Sequence, residues 1–216
     1  MTQETLHAVV SGHVQIKDRA TGEVLVDQQN AIHPKNLATA FARGLSNSAN
    51  YQIFKLKLGN KGTYLNASSQ IVFNPPITTG DSADLYNATY VEIVDDSAVG
   101  VGSGNSVTYT NIPASTNTRV IVTCVISANE AFTNAADTTN AGQIGGAADN
   151  VPGGGTSTVS PYFFDELGLF TKETSGSSTD LDPAGELMLS HLIFSPIEHT
   201  GNREFVIVYT LTISVS

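Results

Sequence analysis

A chain of 216 residues, 40% apolar and only 14% charged, suits one large domain with a mostly neutral, polar surface. Its net charge of −10 repels phosphate, and its ten lysines and arginines are scattered, which argues against direct nucleic-acid binding. The single cysteine, Cys124, excludes an intrachain disulfide, and no apolar run approaches the ~20 residues of a membrane helix.

The opening "MTQETLHAVV" lacks a basic segment followed by an apolar stretch, so a chain made in a cytoplasm and soluble there is expected. In "HVQIKDRATGEVLVDQQN", Val14 and Ile16 alternate with polar residues, as do Val24 and Val26, around a turn where Gly22 can take a positive φ. This predicts a β-hairpin. The period then changes: Leu37, Phe41 and Leu45 recur every four residues after Pro34. That spacing predicts one short helix, about residues 34–46, packing its Leu/Phe stripe on a sheet, with Asn47 closing it.

Strand patterns return in "YQIFKLKLGN", where Ile53, Lys55 and Lys57 share one face and Phe54, Leu56 and Leu58 the other. "QIVFN" precedes two prolines and suits a short strand or sheet edge. "ATYVEIVDD", "SVTYTNI", "TRVIVTCVISA", "YFFDELGLF", "ELMLSHLIF" and "REFVIVYTLTISV" complete the series. The expected fold is mainly β, an antiparallel β-sandwich or jelly-roll-like domain over residues 1–216 with long Gly/Ser/Thr/Asn-rich loops. The glycine-rich stretch 133–160 buries too little to order itself and reads as a flexible loop or as an arm ordered by a neighbouring subunit. Residues 172–186 form a second, shorter excursion. The last strand has Phe205, Ile207, Tyr209, Leu211, Ile213 and Val215 on one face. It fits a central strand or an edge pairing with another subunit, which makes Phe205 and Tyr209 candidates for a structural or interaction role.

"YFFDELGLF" (162–170) carries the most pointed chemical question, because Asp165 and Glu166 are adjacent acids in an apolar run. On a regular strand they point to opposite faces, Asp165 with Phe163, Leu167 and Leu169, and Glu166 with Phe164 and Gly168. They therefore do not form an acid/base dyad. A carboxylate on an apolar face must be hydrogen-bonded or neutral, so one of them is expected to tie down a loop backbone or to meet a basic residue across a subunit boundary. Gly168 marks a bulge or a close backbone approach. Cys124, inside "RVIVTCVISA", reads as a small buried hydrophobe.

Other constellations are weaker. His7 and His13, ~20 Å apart on an extended strand, cannot share a metal, and His191 and His199 meet only if a hairpin brings them together. "DLDPAGE" sets Asp180, Asp182 and Glu186 in a loose echo of a calcium loop, the one weak metal candidate. No cofactor motif is present: the glycines of "GQIGGAADNVPGGG" lack a following GK[ST], and there is no GxSxG elbow. The sequons at Asn66 and Asn87 lack a secretory context. Tyr51, Tyr86, Tyr90, Tyr109 and Tyr162 read either as a sugar-binding face or as ordinary strand and interface residues.

Taken in order, "GHVQIKDRATGEVLVDQQNAIHPKNLATAFARGL", "LKLGNKG", "ADLYNATYVEIVDD", "FFDELGLFT" and "ELMLSHLIFSPIEHTGNREFVIVYTLTISV" resemble a family of virion structural proteins of tailed bacteriophages. The resemblance implies a non-enzymatic building block of the particle, synthesised in the host bacterial cytoplasm and located in the virion. A collar or neck position is the first expectation, with head-surface (capsid) decoration or baseplate next. Its partners would be copies of itself in a symmetric homo-oligomer and other virion proteins, without membrane or cofactor. Two other readings stand beside it: a host-recognition or carbohydrate-binding sandwich on the particle, and a glycan hydrolase, which needs two facing carboxylates remote in sequence.

Overall fold

Twelve strands and one helix follow one another in the computed structural model, which describes residues 7–46, 51–94, 104–113, 115–128, 141–143, 162–171, 186–200 and 202–215. The elements are β1 (Ala8–Asp18), β2 (Val24–Ile32), α1 (Pro34–Leu45), β3 (Ile53–Gly59), β4 (Thr63–Leu65), β5 (Ile71–Phe73), β6 (Ala88–Ile93), β7 (Ser106–Asn111), β8 (Asn117–Ile126), β9 (Ala141–Gln143), β10 (Tyr162–Thr171), β11 (Met188–His199) and β12 (Phe205–Val215). Ten strands make one antiparallel sheet in the order β7-β8-β12-β1-β2-β11-β10-β3-β6-β9, and β4 pairs with β5 in a separate hairpin. The fold is mainly β, as the sequence predicts.

The sheet curls on itself in sandwich fashion. Its two halves are joined at a narrow hinge, where β2 meets β11 through only Ile32–Ser190 and Ala31–His191. Val14, Ile16, Val122, Cys124, Ile207 and Tyr209 from one half pack in a single core with Leu56, Leu58, Leu167, Leu169, Leu192 and Phe194 from the other. Alternation supplies both inner faces, each strand turning every second side chain inward. Away from the hinge, Asn105 stitches the halves together: its side-chain amide donates to the Ile93 carbonyl and its oxygen accepts from the Val125 N–H at 2.7 Å. Across the core, the Tyr209 hydroxyl reaches Ser190 Oγ on β11.

The β1–β2 turn is set by Asp18, whose Oδ1 accepts from the N–H groups of Ala20 and Thr21, while Gly22 takes φ 73°. Those N–H donors, with the Arg203 guanidinium, hold the Asp18 carboxyl below the usual carboxylate range. Helix α1 starts where Pro34 predicts. Its N-cap is His33, whose Nδ1 accepts from the Asn36 N–H and whose Nε2 donates to the Gly80 carbonyl.

Several expectations need correction. The helix buries Asn36, Leu37 and Ala40 rather than the whole stripe; Phe41 is partly exposed and Leu45 is 91% exposed. Ser46 is the C-cap, and Asn47 lies outside the described residues. The last strand, β12, takes the central one of its two expected places, between β8 and β1 with both edges paired. Phe205 and Tyr209 are fully buried core residues, the structural one of their two expected roles. Within 133–160, Ala141–Gln143 form β9, paired to β6; the rest of that stretch lies outside the described residues.

Candidate functional site

Strand β10 is buried on both faces. Leu167 and Leu169 turn to the core beside Leu58 and Leu56 of β3, while Glu166, Gly168 and Phe170 turn the other way, under the crossover formed by residues 60–87. The expected parity fails at Asp165. The pairing with β11 shifts between Phe164 and Glu166, which puts Phe164 in the same core as Leu167 and Leu169 instead of opposite them. Three residues of β11, Phe194, Ser195 and Pro196, stand opposite the one residue Asp165, and such an irregularity breaks the two-residue period and re-aims the side chain there. As a result both acids reach the same short segment, Lys61–Thr63, from neighbouring positions.

Glu166 is the hub of a buried network. One carboxylate oxygen accepts from the N–H groups of Lys61 (3.2 Å) and Asn87 (2.9 Å); the other accepts from the Tyr86 N–H (2.9 Å) and from His191 Nε2 (3.1 Å). His191 Nδ1 in turn accepts from the Ile77 N–H at 3.0 Å, which fixes a neutral imidazole with its proton on Nε2. Asp165 accepts from the Gly62 N–H at 2.8 Å through one oxygen, and from the Thr63 N–H (2.7 Å) and hydroxyl (2.6 Å) through the other. Burial lifts the Asp165 carboxyl to about 6 against the pull of these donors, and the adjacent Glu166 adds to the lift. Both acids thus tie down loop backbone, the first of the two roles open to them from sequence. Neither meets a lysine or arginine among the described residues.

These ties define what the site is: the clamped base of a projecting hairpin. Gly62 and Thr63 lead directly into β4, and the chain leaving β5 is closed onto the same base, with the Asn74 N–H bonded to the Gly62 carbonyl and its side chain to the Lys61 carbonyl. Gly59 and Gly62 permit the approach, because a Cβ on Gly59 would lie 2.6 Å from the Asn87 carbonyl, and one on Gly62 2.7 Å from that of Asp165. Beyond this base the hairpin presents Tyr64, Leu65, Ile71 and Phe73, each about half exposed. Leu65, Ile71 and Phe73 share a face by register, so the apolar surface is continuous.

Next to the hub, the two lysines of β3 are buried rather than solvated. Lys55 and Lys57 both bind Glu186, and Lys57 also binds Asp84. This overturns the metal reading of Glu186, whose carboxylate is occupied by two ammonium groups; Asp180 and Asp182 lie outside the described residues. Gly168 marks neither a bulge nor a backbone approach. Its missing side chain leaves room for the Phe170 ring and Leu85, whose atoms would lie 2.7 and 2.9 Å from a Cβ.

His191 and His199 occupy one strand eight positions apart and do not meet. His199 is buried among Phe164 and Phe205, and burial pushes it down to about 4. Tyr90 belongs to the core, so the tyrosines do not form a common exposed face. Cys124 is buried as expected. The sequence signal missed was the triplet Lys61-Gly62-Thr63 after a strand end: of two close-packing glycines, Gly59 precedes the segment that the acids hold and Gly62 lies within it. A cavity of about 200 Å³ beside α1, lined by Leu37, Ala40, Phe41, Tyr51 and Ile213 among others, is separate from this network. Comparison with family models, curated proteins and solved structures finds no match for the chain.

Proposed function

We propose that this chain is a structural, non-enzymatic component of a tailed-phage virion, assembling with copies of itself and docking with other virion proteins at the head–tail collar or neck. The observation that carries the reading is the clamped hairpin: a base of buried carboxylates holds Leu65, Ile71 and Phe73 half exposed on one face. Fully burying such side chains is worth about 1.5–3 kcal/mol each, so covering the remaining half of three supplies roughly 2–4.5 kcal/mol to an interface. A building block needs contact surface held in a fixed pose, and pre-ordering it lowers the entropy lost on association. The ordered resemblance of the chain to virion structural proteins supports the same reading.

Light scattering on the full chain across a concentration series tests it. The expected result is a fixed oligomer that falls to a monomer when Leu65 and Phe73 are both changed to serine, with the unfolding midpoint unchanged. A wild-type monomer at every concentration that also fails to bind purified virion necks would overturn the assignment. Retention on cell-surface glycans by such a monomer would favour the host-recognition reading instead.

A further inference from the structure

Lys57 lies on the covered face of the sheet, only 4% exposed, and three groups converge on its ammonium. Asp84 presents both carboxylate oxygens to it, at 3.0 and 3.2 Å. Glu186, itself held by Lys55 at 2.9 Å, touches it from another side. The Phe170 ring closes a third side, with its centroid 4.2 Å from Nζ. One Asp84 oxygen also accepts from the Leu85 N–H at 2.8 Å. The Lys57 nitrogen thus sits against both oxygens of the carboxyl it would attack, so the reacting groups are already brought together. A second carboxylate stands ready to move protons, and a backbone N–H is aimed at the oxygen where negative charge would develop.

We propose that Lys57 and Asp84 join in an intramolecular isopeptide bond. Glu186 takes a proton from the Lys57 ammonium and delivers it to Oδ2 of Asp84, and the freed lone pair on Nζ attacks Cγ of the resulting carboxylic acid. The Nζ–Cγ bond forms while charge gathers on Oδ1, which accepts from the Leu85 N–H. Oδ2, already carrying one proton, receives a second from the attacking nitrogen. The Cγ–Oδ2 bond then breaks and a water leaves on the solvent side, where Asp84 is 39% exposed. The product is a neutral amide retaining one hydrogen on nitrogen, Glu186 is regenerated, and no oxidant or reductant is needed. Condensation also removes one ammonium and one carboxylate from a face where solvation is poor, which favours the amide over the ion pair it replaces. Lys55 positions Glu186 and is not consumed. The bond would join β3 covalently to the crossover that carries the hairpin, and it does not depend on the virion reading.

Intact mass spectrometry of the denatured full chain decides the matter. The expected result is a wild-type mass lower by one water than the sequence mass for the same N-terminal residue. Its tryptic digest should contain Lys57 uncleaved and branched to the peptide bearing Asp84. Lys57→Arg and Asp84→Ala should each return the full mass. Glu186→Gln should slow the condensation by roughly a hundredfold or more, the usual contribution of a general base. A wild-type chain at full mass, cleaved by trypsin after Lys57, overturns the proposal whether or not any variant folds. A water deficit that maps to any other residue overturns it equally.

Discussion

Replacing Glu166 by glutamine keeps its size and removes one acceptor, which makes it the sharpest test of the buried hub. Four donors converge on the carboxylate, two per oxygen, and three of them are backbone N–H groups that cannot turn away. An amide NH₂ placed toward Lys61 and Asn87 opposes two N–H groups. Placed the other way, it opposes the Tyr86 N–H, and His191 can accept from it only by moving its own proton to Nδ1, where the Ile77 N–H already donates. Either orientation forfeits two hydrogen bonds at a fully buried site. Bonds to a charged group are worth about 1.5–3 kcal/mol each, so a loss of roughly 3–6 kcal/mol is expected from a total that is typically 5–15. At about 2–4 °C per kcal/mol for a domain of this size, Tm should fall by at least ~6 °C. Urea unfolding and calorimetry measure both, and amide exchange at Tyr86 and Asn87 localises the effect. A change under ~1 kcal/mol with unaltered exchange would falsify the hub as the source of order in the crossover.

The pH dependence carries two opposed slopes. Asp165 has a native pKa of about 6 against 3.8, so the native state binds an extra proton in that window and stability falls as pH rises through it. His199, at about 4 against 6.5, stays neutral in the native state while the unfolded chain charges, so stability rises with pH from about 4 to 6.5. Each amounts to roughly 3 kcal/mol. The wild-type profile should therefore be nearly flat from pH 4 to 6, and Asp165→Asn should expose a rising limb; a variant profile as flat as wild type counts against both assignments. Gly62→Ala should destabilise by about 1–3 kcal/mol, because the new Cβ meets the Asp165 carbonyl, whereas Gly44→Ala, with open space on α1, should gain up to ~1. Tyr209→Phe should cost about 1–2 kcal/mol in chemical denaturation by stranding Ser190 Oγ between the sheet halves; no loss would show that this link adds nothing.

Period was the most legible signal in the chain. The alternation around Gly22, the Pro34 start of α1 and the two faces of β3 and β12 all follow from short-range pattern, and the structure keeps them. What pattern cannot convey is which face a distant segment covers. Lys55 and Lys57 alternate as a solvated face would, yet they are buried and paired with acids distant in sequence, Glu186 on both and Asp84 on Lys57. Phe41 and Leu45 show the converse, a helical stripe whose sheet reaches only as far as Leu37 and Ala40. The parity break at Asp165 was equally hidden, since a bulge leaves the residue types unchanged and alters only their count between hydrogen bonds. Of the clamp, the sequence offered the two acids and the choice of tying down a loop; which loop, and that both acids serve it, depends on contacts about a hundred residues apart.

The place of β12 also dictates an order of events during synthesis. This strand fills the gap between β1 and β8, yet it is translated after every other strand described. Until it emerges from the ribosome, β1 and β8 each present an open edge, and the core lacks Phe205, Ile207, Tyr209 and Leu211. The sheet can close only after β12 has been made, by insertion of one long strand between two waiting neighbours. Such a late, non-local step is slow and leaves sticky edges in the meantime. Chaperone demand should therefore remain high until β12 has emerged, and truncation within β12 should yield aggregates rather than a smaller stable domain.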